Sequence, residues 1–289
     1  MTAANIPILF EDADLLVVSK PPGLVVNLSQ TVSEPTLEDW LGERLAGESQ
    51  VAKAVDKEVD KEEWQTQVPA DFPHEYGSPE EIFVQRGGIV HRLDKETSGV
   101  IVMAKHPGSL ANLLRQFRLR ETEKMYTCLV HGKFEFPADT LNLPLGRSLF
   151  NRTKFAVAAE GRQAETRYEV VSAYEQLNPE LVATLTTPQE RNLKKRFQKG
   201  YQGFSLVHCW PKTGRTHQIR VHMSHIKHPI VSDVTYLGKK RLALDLLWCP
   251  RLFLHASQLT FTHPRTGKRL TFEAPLWADL QRAQEFFAL

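Results

Sequence analysis

Short apolar runs separated by polar turns set the layout of the chain. Ile8-Leu9-Phe10 and Leu15-Leu16-Val17-Val18 predict two strands joined by a turn over residues 11–14. Leu37, Trp40, Leu41 and Leu45 then recur at helical spacing. Thr36 as N-cap and Asp39 three residues on mark the start of a short amphipathic helix. The period is lost from residue 50 to 80, where Asp56, Glu58, Asp60, Glu62 and Glu63 mix with Lys53, Lys57 and Lys61. Pro69, Pro73 and Pro79 interrupt the later half, so a solvated helix followed by an extended connector is expected, a polar insertion at about 45–83. Ile89-Val90 and Val100 to Ala104 bracket a polar, glycine-punctuated stretch, the pattern of a loop held between two buried strands. A helix with Leu110, Leu113, Leu114 and Phe117 on its apolar face follows Ser109, and a strand covers residues 123–132. Further strands are expected over 168–174 and 181–187, turning at Asn178-Pro179. A hairpin is expected whose strands end at Phe261 and Phe272, and a last helix over 277–287. This β-rich mixture predicts an α+β fold with a mixed, mainly antiparallel sheet and flanking helices.

Composition narrows the class. With 289 residues, 42% hydrophobic and 24% charged, the chain can bury a sizeable core without staples. Cys128, Cys209 and Cys249 stand far apart with no metal spacing, which suggests reduced thiols in a cytoplasmic protein. The first residues lack a basic region followed by an apolar stretch of signal length, and no run approaches the roughly 18 apolar residues of a membrane span. Net charge is only +2, so distribution matters more than total. The loop over 137–163 carries Arg147, Arg152, Lys154 and Arg162. From 191 to 227 the cations Arg191, Lys194, Lys195, Arg196, Lys199, Lys212, Arg215, Arg220 and Lys227 have no acid among them, which suits a polyanion.

The candidate chemistry lies in His91-Arg92-Leu93-Asp94-Lys95-Glu96-Thr97-Ser98-Gly99. A carboxylate at Asp94, beside Arg92 and Lys95, can stay ionised while partly buried and serve as nucleophile or base. A structural ion pair or a turn cap reads equally well from these residues alone.

This stretch resembles the HRLDxxTSG motif of the RluA-type pseudouridine synthases. Other segments resemble the family's remaining motifs in the same order. They are Lys20-Pro21-Pro22-Gly23, Lys124 to Gly132 around Tyr126, Thr213-Gly214-Arg215-Thr216-His217-Gln218-Ile219-Arg220-Val221-His222, His228-Pro229-Ile230-Val231-Ser232-Asp233 and Arg251 to Ala256. Ser232 stands where the family usually has glycine, and Leu237 is inserted between Tyr236 and Gly238. The stretch between the Lys20 loop and the Asp94 motif is longer than is usual. With its first strand at Ile8, the sequence leaves no room ahead of it for the S4-type domain of many relatives.

The resemblance implies one catalytic domain over 1–289 with two subdomains around a basic cleft. It implies that uridines in structured ribosomal or transfer RNA become pseudouridine, and that no cofactor or metal takes part. Asp94 would be the essential carboxylate. Arg220 or Arg215 would pair with it, Arg220 being favoured by its place in the motif. Tyr126 would pack against a flipped uracil. Arg92, His91, Lys20, Arg215, Lys194, Lys195 and Arg196 are assigned to RNA binding or base flipping, with Lys20 and His91 open to a structural reading as well. The protein is expected to act as a monomer away from membranes.

Two rivals are weighed beside this. The crowding of His217, His222, His225 and His228 invites a metal-dependent nuclease, though the spacing matches no metal motif. A non-catalytic RNA-binding protein on the same fold would also explain the basic segment.

Overall fold

The computed structural model describes residues 6–28, 33–54, 64–73, 75, 77–185 and 201–287. In chain order its elements are β1 (Ile8–Glu11), β2 (Leu15–Lys20), α1 (Leu37–Ala54), α2 (Pro79–Arg86), β3 (Ser98–Ala104), α3 (Pro107–Leu119), β4 (Glu123–His131), β5 (Ala138–Asn142), β6 (Leu145–Arg147) and β7 (Phe155–Val157). The remainder are β8 (Glu165–Tyr174), α4 (Pro179–Thr184), β9 (Phe204–Pro211), α5 (Gln218–His225), α6 (Lys239–Asp245), β10 (Leu254–Thr262), β11 (Arg269–Glu273) and α7 (Ala278–Glu285). They form two compact units, Met1–Glu123 with Gln258–Ala274 and Lys124–Ser257 with Pro275–Leu289. The strand pairs β1/β2, β2/β3, β4/β9, β5/β8, β6/β7, β8/β9 and β10/β11 are all antiparallel, as expected of the fold class.

In the first unit the strands run β1-β2-β3-β10-β11. Asp12 closes the first turn, its Oδ1 accepting from the Asp14 and Leu15 amides at 2.8 Å each. Every residue of β2 and β3 is buried, which is why both read as continuous apolar runs. Leu15, Val17, Val100, Val102, Leu259 and Phe261 share a core with Leu110 and Leu113 of α3. The Thr36 cap is present. Its Oγ1 accepts from Asp39 N–H, and Asp39 Oδ2 accepts from Thr36 N–H at 2.8 Å.

Residues 64–86 differ from the extended, polar connector expected. Gln67 donates to Asp14 Oδ1 at 2.8 Å, and Phe72 and Ile82 are members of the same core. Helix α2 begins with a complete capping box of Ser78 and Glu81 and with Pro79 inside the first turn. The acidic surface of this segment hid that start signal.

The second unit orders its strands β10-β4-β9-β8-β5. Phe204, Val207, Cys209, Cys128, Val130, Phe253 and Leu280 fill its core. Residues 181–184 are helical, not the strand expected. Asn178 Oδ1 accepts from the Glu180 and Leu181 amides, and Pro179 sets the first helical residue, so a local cap outweighs the β-branched content. Strands β6 and β7 form a separate hairpin whose Leu145, Phe155 and Val157 pack with Val221 of α5 and with Tyr236.

Candidate active site

In the first unit, α2 ends at Gly87, whose φ of 52° is left-handed, and Gly88 follows at 79°. A Cβ at Gly88 would lie 2.3 Å from the Ala104 carbonyl, so only glycine lets the chain run this close to β3. Ala104 N–H donates to Gly88 O at 2.9 Å, and Ile89 bridges Met103. The entry to the Asp94 loop is thus a single bridge rather than the full strand expected, and the exit is β3. Thr97 N–H donates to the Asp94 carbonyl at 3.1 Å, closing the turn, while Leu93 and Thr97 are buried on either side. Asp94 is half-buried and Arg92 is open to solvent.

His91 positions this loop. Its Nε2 accepts from Val102 N–H of β3 at 3.2 Å, and its ring stacks on Phe117 at 4.6 Å between centroids. Lys20 sits differently from its assignment to RNA. It has no exposed surface, and its ammonium donates to the carbonyls of Pro21 (2.8 Å), Leu24 (2.9 Å) and Lys95 (3.1 Å). Gly23 N–H also donates to Lys95 O at 2.8 Å. Lys20 therefore fastens the proline turn to the residue after Asp94, and a phosphate cannot reach it. Lys95 itself reaches outward to Glu34 at 3.2 Å.

In the second unit, Tyr126 lies half-buried on β4 opposite Cys209 of β9 and packs against the core. The segment around Arg220 is a turn leading into α5. Gln218 ties it down on both sides. Its Oε1 accepts from Thr213 Oγ1 (2.6 Å) and Arg215 N–H (3.0 Å), and its Nε2 donates to Glu165 O and Thr166 Oγ1 at 2.9 Å each. Arg220 is buried. Its Nε and Nη2 grip both oxygens of Asp233 at 2.8 Å, Nη2 also donates to Thr235 Oγ1 at 2.8 Å, and the guanidinium lies 5.3 Å from the Tyr236 ring. Asp233 Oδ1 accepts from the Thr235 and Tyr236 amides as well, so one carboxylate shapes the turn and orients the arginine. The sequence displayed Asp233 within a motif, but nothing local assigned it this task.

Ser232, in the place of the usual glycine, keeps the left-handed backbone with φ of 57°. Two hydrogen bonds offset that strain, Ser232 N–H to Asp245 Oδ2 (3.0 Å) and Ser232 Oγ to Cys249 O (2.6 Å). The loop shape thus survives the substitution.

The remaining cations divide. Arg215 Nε donates to Gln163 O at 3.1 Å, and Lys212 pairs with Glu165 at 3.2 Å. The segment that lacks acids in sequence meets them in space, at Glu165 and Asp233. Lys194, Lys195 and Arg196 lie outside the described residues.

Three of the clustered histidines, His217, His222 and His228, make structural contacts. His222 is buried, with Nδ1 bonded to Thr166 Oγ1 at 2.9 Å and Nε2 to Leu143 O at 3.0 Å, and burial pushes its pKa down. His217 Nδ1 shares a hydrogen bond with the Tyr236 hydroxyl at 3.0 Å, and His228 Nδ1 meets His131 O at 2.9 Å. Residues 218–225 form a helix. Among the described residues the group close enough to share a metal is Asp12, Asp14 and His263 in the first unit. Arg265 already holds Asp14 there at 2.8 Å, which sets a fixed cation against any metal.

Residues 14–225 match the family described as RNA pseudouridylate synthase. The chain is 34% identical over 282 residues to a protein of Nitrosomonas europaea named ribosomal large subunit pseudouridine synthase D, a match covering 96% of this chain and 64% of that one. It is 36% identical over 299 residues to an uncharacterized RNA pseudouridine synthase of Chlorobaculum parvum, covering 97% and 73% respectively. A solved structure titled human RNA pseudouridylate synthase domain containing 1 has the same fold, with a TM-score of 0.61 at 21% identity over 100% of this chain and 97% of that one. The chain belongs to the RNA pseudouridylate synthase family. It spans less than two thirds of the Nitrosomonas relative's length.

Proposed function

We propose that the protein converts uridine in structured RNA to pseudouridine. The glycosidic bond between N1 and C1′ breaks, the uracil turns, and C5 bonds to C1′ while the C5 proton leaves and N1 takes one up. The product is an isomer of the substrate, so no oxidant, reductant or energy source enters the balance. Asp94 is the reacting carboxylate in this reading. It acts ionised, by attacking C1′ or by removing a sugar proton. Tyr126 packs against the flipped base and assists loss of the C5 proton. Arg220 supplies a fixed positive charge whose orientation Asp233 sets.

One observation carries the reading. Asp94 stands half-buried at the head of a loop that Lys20, Gly88 and His91 fasten to β3 and to the Pro21 turn. A carboxylate on a loop held this firmly, and itself only half-buried, is suited to act on a bound nucleoside. The exposed Arg92 beside it fits the place of a flipped base or a neighbouring phosphate. The names of the relatives support RNA as substrate, ribosomal RNA first, and the cytoplasm is where such an enzyme would meet it.

The experiment is conversion by the wild-type chain. Pooled transcripts of ribosomal and transfer RNA, tritiated at uridine C5, should release label, and pseudouridine should map to discrete positions. Binding of both pools with no release would favour the non-catalytic RNA-binding reading.

A further inference from the structure

Asp245 ends α6 as a fully buried carboxylate. An acid at the carbonyl end of a helix opposes the helix dipole, and burying one is costly unless donors surround it. Here three donors converge. Asp245 Oδ1 accepts from the Tyr201 hydroxyl at 2.8 Å, while Oδ2 accepts from Ser232 N–H at 3.0 Å and meets His131 Nε2 at 2.8 Å. Burial first, and the charge of Asp245 next, push the Tyr201 pKa up, so this hydroxyl keeps its proton and donates. The three groups come from three segments of the second unit: the end of β4, the stretch before β9, and the turn that leads to Asp233.

The Ser232 contact falls at the turn on which Arg220 depends. Residues 229–231 run beside β4, the strand of Tyr126, with His131 N–H donating to Pro229 O (3.0 Å) and Val231 N–H to Leu129 O (2.9 Å). The chain leaves that strand at Ser232, in the left-handed region at φ 57°. A Cβ disfavours this backbone, so a residue other than glycine keeps it only where its surroundings hold it. The next residue is Asp233, whose two oxygens orient Arg220 at 2.8 Å. A Ser232 that relaxed to an ordinary backbone would swing Asp233, and Arg220 with it. His131 ends β4 and meets the same carboxylate, so the turn and the Tyr126 strand are held to one group.

We infer that Asp245 is a positioning residue: by holding Ser232 N–H it fixes where Asp233 presents Arg220. The catalytic consequence rests on the enzyme reading above, whereas the effect on Arg220 stands on the geometry. A carboxylate that merely stabilised the core would act through Tyr201 and His131 and would be indifferent to the residue at 232. Glycine at that position adopts a left-handed backbone without strain and needs no such hold.

The test uses the full chain, nitrogen-15 NMR of the Arg220 Nε–H, and single-turnover release from the same tritiated transcripts. In Asp245→Ala the Arg220 Nε–H should exchange about tenfold faster, the scale of an unheld left-handed residue. The rate of release should fall about a hundredfold, the scale of a misplacement of order 1 Å. The RNA concentration for half-maximal rate should stay near wild type. Adding Ser232→Gly should return exchange and rate to those of Ser232→Gly alone. The melting temperature should stay low, because Tyr201 and His131 still lack their acceptor. Tyr201→Phe should lower the melting temperature and leave Arg220 exchange unchanged. Unchanged exchange and rate in a folded Asp245→Ala protein, or losses that Ser232→Gly does not recover, would overturn the inference and leave the enzyme reading intact. The expected exchange pattern in a chain whose wild type converts no RNA would uphold the positioning and remove the enzyme reading. Should Asp245→Ala fail to fold, the Ser232 amide of the wild type decides. Slow exchange upholds the hold by Asp245, and exchange as fast as that of an exposed amide overturns it.

Discussion

Replacing Lys20 with methionine separates a structural clamp from an RNA contact. Methionine keeps most of the buried stem and removes the ammonium. The Lys95 carbonyl retains its bond from Gly23 N–H, but those of Pro21 and Leu24 lose the partner they have in Lys20. A buried acceptor left unmade costs about 1–3 kcal/mol. Pro21 is buried and should take the full penalty, whereas Leu24 is half-buried and water can reach it. Removing a desolvated charge offsets part of the loss. The net expectation is a loss of about 1–3 kcal/mol, set by the Pro21 carbonyl. The Asp94 loop also loses an anchor, and a misplacement of order 1 Å lowers a rate by about a hundredfold. Urea unfolding followed by circular dichroism measures the first effect, and single-turnover tritium release measures the second. RNA affinity should stay near wild type. A Lys20→Met protein of unchanged stability that binds RNA weakly, with a shallower salt dependence, would refute the clamp and restore a phosphate contact.

Asp14 predicts a pH dependence. Burial alone would raise its carboxyl, but hydrogen bonds from Arg265, Gln67 and His106 hold it well below the usual carboxylate range. Its contribution is therefore present above the unfolded value of about 3.9 and is lost as pH falls through the folded one. Asp14→Asn should be less stable than wild type at pH 7, with the gap closing below about pH 4. A gap that widens in acid would contradict this. Asp233→Ala should cost about 3–5 kcal/mol in a thermal melt, because Arg220 stays buried without that carboxylate; Asp233→Asn should cost less. Phe72→Ala should cost about 3–5 kcal/mol if residues 64–86 belong to the core, and a negligible shift would return them to an extended connector.

What could be read from the sequence was what neighbours decide. The all-buried β2 and β3 gave unbroken apolar runs, and Thr36 with Asp39 gave a helix start. The β10/β11 hairpin declared itself by its turn. Helices α2 and α4 were missed although Ser78-Pro79-Glu80-Glu81 and Asn178-Pro179-Glu180 both carry cap signals. Acidic composition masked the first, and β-branched content the second. The site divides in the same way. Asp94 stood out through its motif and the glycines around it. The use of Lys20 depends on Lys95, which the fold brings to it from far along the chain. The grip of Asp233 on Arg220 is likewise tertiary, as is the link from the hairpin to Tyr236. Spacing along a chain does not encode such meetings.

The most direct test is Asp94→Asn in a single-turnover assay, with protein in excess over C5-tritiated RNA. Asparagine keeps the size and hydrogen bonding of the side chain but lacks the charge a nucleophile or base needs. Thermal melting should first show a normally folded protein, and RNA binding should persist, since cations supply it. Under those conditions the wild type should release label and Asp94→Asn should release none. A folded Asp94→Asn protein that releases label at a near-normal rate would contradict the central claim.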